Sequence, residues 1–377
     1  MNPFIESLLL TNFRSYKTLD VQFDGRPVVL FGENGAGKTN LLEAVSLLSP
    51  GRGLRRSALK DLSFRSAHSS EMTNWAISAK LHADDDVKIG TGQIPGKPNR
   101  RLIRINESNS SGTDLTNLLT LNWLTPAQDR LFVGPESDRR KFFDRLCLVY
   151  FSDHGRTSIA YEKSRAERNR LLSDGIEDDY WFDALETDLA ERGAHIAKAR
   201  WQTLQRLQGE ISARPESVFP KASISLQGEA EDLYAAGADE IDVCEYIKDV
   251  LIKNRHIDRR AGRTLRGVHK TALVVLHLEK NMPAADCSTG EQKALLIGLI
   301  LAHANSQKKL NPDGQAPILL LDEVAAHLDE HRRAALIEEL LQLDTQVFMT
   351  GTDFDLFTAF DGRAQVFKVK DGELLAQ

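Results

Sequence analysis

Apolar residues alternate with polar ones at Leu19, Val21 and Phe23, the chain reaches Asp24-Gly25, and an unbroken apolar run, RPVVLF (26–31), follows. Alternation closed by an Asp-Gly turn predicts a β-hairpin. The continuous run predicts a strand buried on both faces, and NLLEAVSLL (40–48) changes to helical spacing. Farther on, TSIAYEKSRAERNRLL (157–172) and the segment 179–214 are helical. In the second, apolar residues at 182, 185, 189 and 196, then 201, 204, 207 and 211, recur at three, four or seven until Pro215 ends the pattern. These two segments predict a helical hairpin. Strand character returns in KASISLQ (221–227) and HKTALVVLHLEK (269–280). CSTGEQKALLIGLILAHA (287–304) predicts a buried helix opened by a Ser288/Glu291 capping box, and PILLLDE (317–323) a buried strand ending in two acids.

Length and composition narrow the class. The chain has 377 residues, 41% apolar and 27% charged, which suits a soluble protein of two or three domains of roughly 150 residues each. No run approaches the roughly 18 apolar residues of a membrane span, and MNPFIESLLLTNF has no basic region leading into an apolar core. A cytoplasmic protein without a membrane partner is expected. Cys147, Cys244 and Cys287 lie too far apart for a metal pattern or a small disulfide framework. The net charge of −6 argues against a uniformly basic surface, so nucleic acid has to be argued from clusters.

Between the strand at 26–31 and the helix at 40–48 stands GENGAGKTN: Gly32, Glu33, Asn34, Gly35, Ala36, Gly37, Lys38, Thr39 and Asn40. This is the spacing of a phosphate-binding loop in its required strand-loop-helix setting. Its glycines let successive N–H groups face one anion at the positive end of a helix. Lys38 reaches the outer phosphates, and the Thr39 hydroxyl holds Mg²⁺. At the other end of the chain Asp322 is suited to Mg²⁺ and Glu323 to the attacking water. Each motif also has a plain alternative: a ligand-free glycine turn, a buried strand with surface acids, a capped core helix. Lys38 and Asp322 are 284 positions apart, so a large insertion separates the halves of the site.

The phosphate loop, STGEQK and LLLDE, in this order, resemble the three motifs of ABC-type ATPases. That resemblance implies ATP and Mg²⁺ held between two heads, with Ser288 and Gly290 of one closing on phosphates bound by the other. The start LLLTNFRSYKTLDVQF (8–23) is similar to SMC-like DNA-repair ATPases and nominates Arg14, Ser15 and Tyr16 beside the adenine and ribose. LTPAQDRLFVGPESDRRKFFDRL (124–146), GRTLRGVHKTAL (262–273) and DEVAAHLDEHRRAAL (322–336) resemble the RecF family of recombination mediators. The similarity runs from residue 1 to about 370 and is weakest in 65–110 and 174–245. It implies an α/β fold: an ABC-type, SMC-like ATPase head with an inserted, mainly helical second lobe. The expected bounds are 1–123 and 221–377 for the ATPase lobe and 124–220 for the insertion. The family's activity would be ATP-dependent homodimerisation on gapped or junction DNA, slow DNA-dependent ATP hydrolysis, and action with RecO, RecR and RecA in repair, replication restart and SOS induction. Two departures stand out. QVFMTGTD (346–353) offers Thr350 and Thr352 where many ABC ATPases carry a histidine, and Gln128 is the candidate for the glutamine that contacts Mg²⁺ and water.

Three basic groups are candidates for DNA: Arg52, Arg55, Arg56 and Lys60; Arg139, Arg140 and Lys141; and Arg255, Arg259, Arg260, Arg263, Arg266 and Lys270, the last with one acid, Asp258. The third is the densest and is the expected DNA contact through Arg255, Arg259, Arg260 and Arg263. Without interleaved aromatic residues it predicts backbone contact with duplex or junction rather than stacked single strand. A solvated charged face is the alternative for each, and salt-bridged scaffold a further one for 139–141. A transporter ATPase subunit would have closer nucleotide motifs, and a small-molecule kinase would have no use for STGEQK.

Overall fold

The structure is a computed structural model that describes residues 3–64, 73–83, 86–311 and 316–377. It divides into two compact units: Met1–Asp129 with Pro215–Phe219 and Leu296–Gln377, and Arg130–Arg214 with Pro220–Leu295. The division falls inside the helix Thr289–Leu310. No helix of the described residues is long and apolar enough to cross a membrane.

Among the described residues, the first unit holds two six-stranded sheets. One runs in the order Glu373–Ala376, Gln365–Lys370, Val28–Phe31, Val347–Gly351, Ile318–Leu321, Leu121–Leu124, and is parallel except at its first strand. Its inner strands are apolar on both faces, as 26–31 and 317–321 predict, because side chains on either side must be covered. Parallel pairing brings the carboxyl ends of Val28–Phe31 and Ile318–Leu321 to the same edge, and so brings the two halves of the nucleotide motif together. The other sheet is antiparallel, with Phe4–Phe13 between Tyr16–Gln22 and Ala76–His82. Leu8, Leu10, Leu19, Val21 and Ile77 from this sheet share one core with Val28 and Leu30 and with Leu41, Leu42 and Val45 of the helix Lys38–Ser46.

The hairpin expected across Asp24-Gly25 does not form. Leu19 and Val21 pair back onto Leu10 and Leu8 across a turn at Arg14-Ser15, and Val28–Phe31 joins the other sheet. Asp24-Gly25 is a crossing between sheets: the alternating strand suits a sheet with one solvated face, whereas Val28, Val29 and Leu30 are fully buried and need cover on both.

In the second unit, the helices His154–Ser173 and Asp179–Ala213 form the predicted hairpin, and Glu240–Ala261 packs along the latter. Their shared core includes Tyr161, Leu189, Ala194, Ala197, Val243, Ile247 and Leu251. This unit is larger than the expected 124–220. It begins only after the strand Leu121–Leu124 and its following turn, and it extends to Leu295. The strand Ala222–Gln227 pairs with Ala272–His277 of the same unit, and Val243, Ile247 and Leu251 seat on Asp179–Ala213. Residues 221–295, read from strand character as returning to the ATPase lobe, therefore belong to the insertion. β character does not say which sheet a strand joins.

Candidate nucleotide site

Two close approaches define the loop. A Cβ on Gly32, at φ 147°, would lie 2.4 Å from the Val369 carbonyl oxygen. One on Gly37, at φ 115°, would lie 2.7 Å from Ser15 Oγ and 3.0 Å from the Tyr16 hydroxyl. Only glycine fits there, because the L-side-chain penalty at positive φ adds to the overlap. The Tyr16 hydroxyl donates to the Gly37 carbonyl at 3.0 Å and pins the loop where it enters the helix.

Lys38 is 4% exposed, and its ammonium donates to the carbonyls of Gly32 at 2.6 Å and Glu33 at 2.9 Å. Burial lowers its pKa, while the charges of Glu323 and Asp322 act to raise it. Across the sheet edge, the Thr39 hydroxyl donates to Asp322 Oδ1 at 2.8 Å, and the Thr350 hydroxyl donates to the same oxygen at 2.8 Å. Thr350 Oγ1 in turn accepts the Glu323 N–H at 2.9 Å. Burial raises the pKa of Asp322 against these two hydroxyl bonds. Glu323 adopts φ 53°, a left-handed conformation rare outside glycine. Such backbone strain persists only where neighbours over-determine it; here the hydrogen bond to Thr350 holds the peptide. Thr350 is thus a buried support of the two acids, and Thr352 is exposed.

The residues present fit a magnesium nucleotide. A glycine cradle admits backbone to the anion, an ammonium waits on loop carbonyls that a phosphate can replace, and a hydroxyl stands beside a buried carboxylate. Gln128 follows the strand Leu121–Leu124, whose Leu124 carbonyl accepts the Asp322 N–H at 2.9 Å. Its side-chain oxygen accepts the Thr125 N–H at 2.9 Å as part of a capping box. No bond joins it to Thr39 or Asp322 among the described residues.

Arg14 is fully engaged. It clasps Glu43 through two bonds of 2.8 and 2.9 Å and also donates to the Asp61 carbonyl and Ser57 Oγ. It is a clamp on the helix rather than a free cation. Ser15 Oγ accepts from Asn40 Nδ2 at 3.0 Å, and Arg55 donates to Asn40 Oδ1 at 2.8 Å. Glu43, completely buried between Arg14 and Arg55, went unread in the sequence. An acid inside the apolar run NLLEAVSLL was the signal. Also unread was the C-terminal hairpin: Ser15, Gly32–Ala36 and Lys368–Gly372 line a cleft of about 460 Å³. Phe367 and Val369 alternate with Lys368 and Lys370 ahead of Asp371-Gly372, a hairpin signature available in the sequence.

In the second unit, Ser288 caps the helix Thr289–Leu310. Its N–H and hydroxyl donate to Glu291 Oε2 at 3.0 and 2.8 Å, and Glu291 is further bound by Lys280. Ser288 is exposed and Gly290 partly so. The expected DNA residues divide. Arg255 is consumed by Glu186, Asp179 and Asp183, and Arg259 lies over the Phe182 ring at 5.6 Å with its guanidinium reaching the Ile176 carbonyl. Arg255 is therefore corrected from DNA contact to internal ion pair; Arg260 and Arg263 remain exposed. Arg139 and Arg140 hold the carbonyls of Leu273 and Thr271, the scaffold alternative for that group.

Comparison with known proteins agrees with this architecture. A family model described as RecF/RecN/SMC N terminal domain matches residues 4–374. The protein named DNA replication and repair protein RecF from Brucella abortus (strain 2308) is 48% identical over 371 residues, 98% of this chain and 95% of its own. Its namesake from Agrobacterium fabrum is 48% identical over 376 residues, 99% and 98% of the two chains. Among solved structures, a recombination mediator protein RecF with ATPrS, of the RecFOR pathway, matches with a TM-score of 0.84 at 24% identity, covering 100% of this chain and 98% of that one. An Smc head domain from Pyrococcus furiosus matches at 0.56 and 16% identity, covering 100% and 96%. A phosphate loop facing an Asp-Glu strand, an inserted helical unit and relatives of nearly full length lead to one conclusion: the chain belongs to the RecF family and has the fold of an SMC-type ATPase head.

Proposed function

We propose that this protein is an ATP-dependent DNA-binding protein that dimerises across ATP, grips gapped or junction DNA, and releases it on slow, DNA-dependent hydrolysis. The observation that carries this is the Thr39–Asp322–Thr350–Glu323 network beside the Lys38 loop. Lys38 would exchange its two loop carbonyls for the outer phosphates, Thr39 and Asp322 would hold Mg²⁺, and Glu323 would orient the attacking water. Bound Mg²⁺ supplies neutralisation of the developing phosphate charge. Thr350 and Thr352 cannot carry a proton as an imidazole would, which favours slow turnover. Ser288 and Gly290 of a second copy close the site. The names of the relatives support a role in DNA replication and repair, and the RecFOR pathway named for a structural neighbour supports RecO and RecR as partners, with RecA loading, replication restart and SOS induction downstream.

Sedimentation velocity with and without ATP and a gapped duplex tests this reading. The wild-type chain is expected to shift from monomer to dimer with ATP and to carry the duplex with it. Lys38→Ala removes a charge-assisted contact worth roughly 1.5–3 kcal/mol, so ATP affinity is expected to fall roughly 10- to 150-fold and dimer and DNA to be lost together. A wild-type chain indifferent to ATP, or a variant with unchanged ATP affinity, overturns the proposal.

A further inference from the structure

We infer that the DNA backbone meets the first unit on a basic face built from the loop 50–60 and the hairpin at 95–105, rather than the cations of 255–263. The inference rests on the DNA-binding reading above and locates its contact. The two segments each carry four cations and no acid: Arg52, Arg55, Arg56 and Lys60 in one, Lys97, Arg100, Arg101 and Arg104 in the other.

The tertiary structure joins them. Arg101 is partly buried and donates to the carbonyls of Leu47 and Ser49, both at 2.6 Å, where the helix Lys38–Ser46 ends and the loop begins. The turn Leu59–Leu62 packs along the strand Lys97–Ile105, and Trp75 Nε1 donates to the Leu59 carbonyl at 2.8 Å. Arg55 is spent on Asn40 and Glu43, and Arg14 ties Ser57 to the same helix. What remains is Arg52, Arg56, Lys60, Lys97, Arg100 and Arg104, all exposed and without an ion pair among the described residues.

The rival cluster is depleted by comparison. Arg255 is neutralised by three carboxylates, Arg266 by Glu229, and Arg259 is folded onto Phe182, which leaves Arg260, Arg263 and Lys270. Unpaired cations release phosphate counterions on binding, whereas paired ones first have to give up their partners. The face is also tied, through Arg101, Arg55 and Arg14, to the helix that starts at Lys38. Its occupant is accordingly a polyanion, duplex DNA, contacted through its phosphates without sequence readout.

The test measures binding of the full chain, with ATP, to ungapped and gapped duplexes over a salt series by fluorescence anisotropy. The variant carrying R52Q, R56Q, K97Q and R100Q is compared with one carrying R260Q and R263Q. For the first, affinity for both duplexes is expected to fall at least tenfold, and the slope of log K against log salt to flatten by roughly 2–4, about 0.9 for each phosphate no longer neutralised. Its ATP affinity is expected to stay that of the wild type, and the charge-keeping R52K, R56K, R100K variant to bind DNA normally. Wild-type DNA affinity and slope in the first variant, with weakened binding in the second, overturns this inference and leaves the DNA reading standing. A wild-type chain that binds neither duplex overturns both.

Discussion

At the residue scale, the nucleotide site depends on where a side chain is forbidden, and the stability of the second unit on where a proton is refused. Gly32→Ala drives a methyl group into the Val369 carbonyl at a φ of 147°. It is expected to destabilise the chain by roughly 1–3 kcal/mol, read as a lower denaturation midpoint, and to weaken nucleotide binding in the same protein; unchanged values for both would mean that the loop does not press on the C-terminal hairpin. In the second unit His269 lies between the Tyr161 hydroxyl and the Thr264 carbonyl. Burial first, then the charges of Arg165, Lys270 and Arg140, pushes its pKa down from 6.5 to about 3. Between those two pH values the unfolded chain takes up a proton that the folded chain refuses, so stability falls as pH drops through 6.5 and continues to fall towards 3. Urea titrations at pH 7 and pH 5 are expected to show this loss, and His269→Gln, which has no proton to take, to lessen the difference between the two pH values. An equal difference in wild type and variant counts against His269 as its source.

At the element scale, charge is used as an internal joint. Arg255 on Glu240–Ala261 reaches Asp179, Asp183 and Glu186 on Asp179–Ala213, while the buried Arg168 joins Glu186 to Asp258. Arg255→Ala leaves the buried Glu186 with one partner fewer and is expected to cost roughly 3 kcal/mol, measured by denaturant unfolding. Native DNA affinity should hold; weaker DNA binding with stability intact would return Arg255 to the DNA surface. The helical hairpin was legible because its apolar period is long and closed by Pro215. The lobe boundary was not, because Ala222–Gln227 and Ala272–His277 have the β character of either unit and only their mutual pairing assigns them.

At the scale of the whole molecule, the question is whether Ser288 caps a helix or also meets a second head. Its bonds to Glu291 account for the cap. Asp and Asn are both good N-caps, but Ser288→Asp sets a carboxylate beside that of Glu291 where Ser288→Asn keeps a donor, so Ser288→Asp is expected to melt somewhat lower and the two are compared at a temperature where both are folded. If a second chain's phosphates approach this position, the added carboxylate repels them. Ser288→Asp is then expected to abolish ATP-dependent dimerisation in sedimentation, and Ser288→Asn to retain it. Equal dimerisation by the two would make Ser288 a cap alone.

Sequence alone determined the phosphate loop, the acids that answer it 284 positions later, the capped helix and the helical hairpin. Each is local: a glycine spacing, an apolar run, a period of 3.6 that a short stretch of chain expresses without its neighbours. Tertiary structure decided what each strand pairs with, and so moved Asp24-Gly25 from hairpin turn to sheet crossing and 221–295 into the second unit. It also decided which cations are free. Arg14, Arg55 and Arg255 look no different in sequence from Arg52 and Arg100, but Glu43 and Glu186, distant in the chain, come within hydrogen-bonding distance of the first three and consume their charge. Partnership between charges is set by distance through space, which the order of residues does not contain.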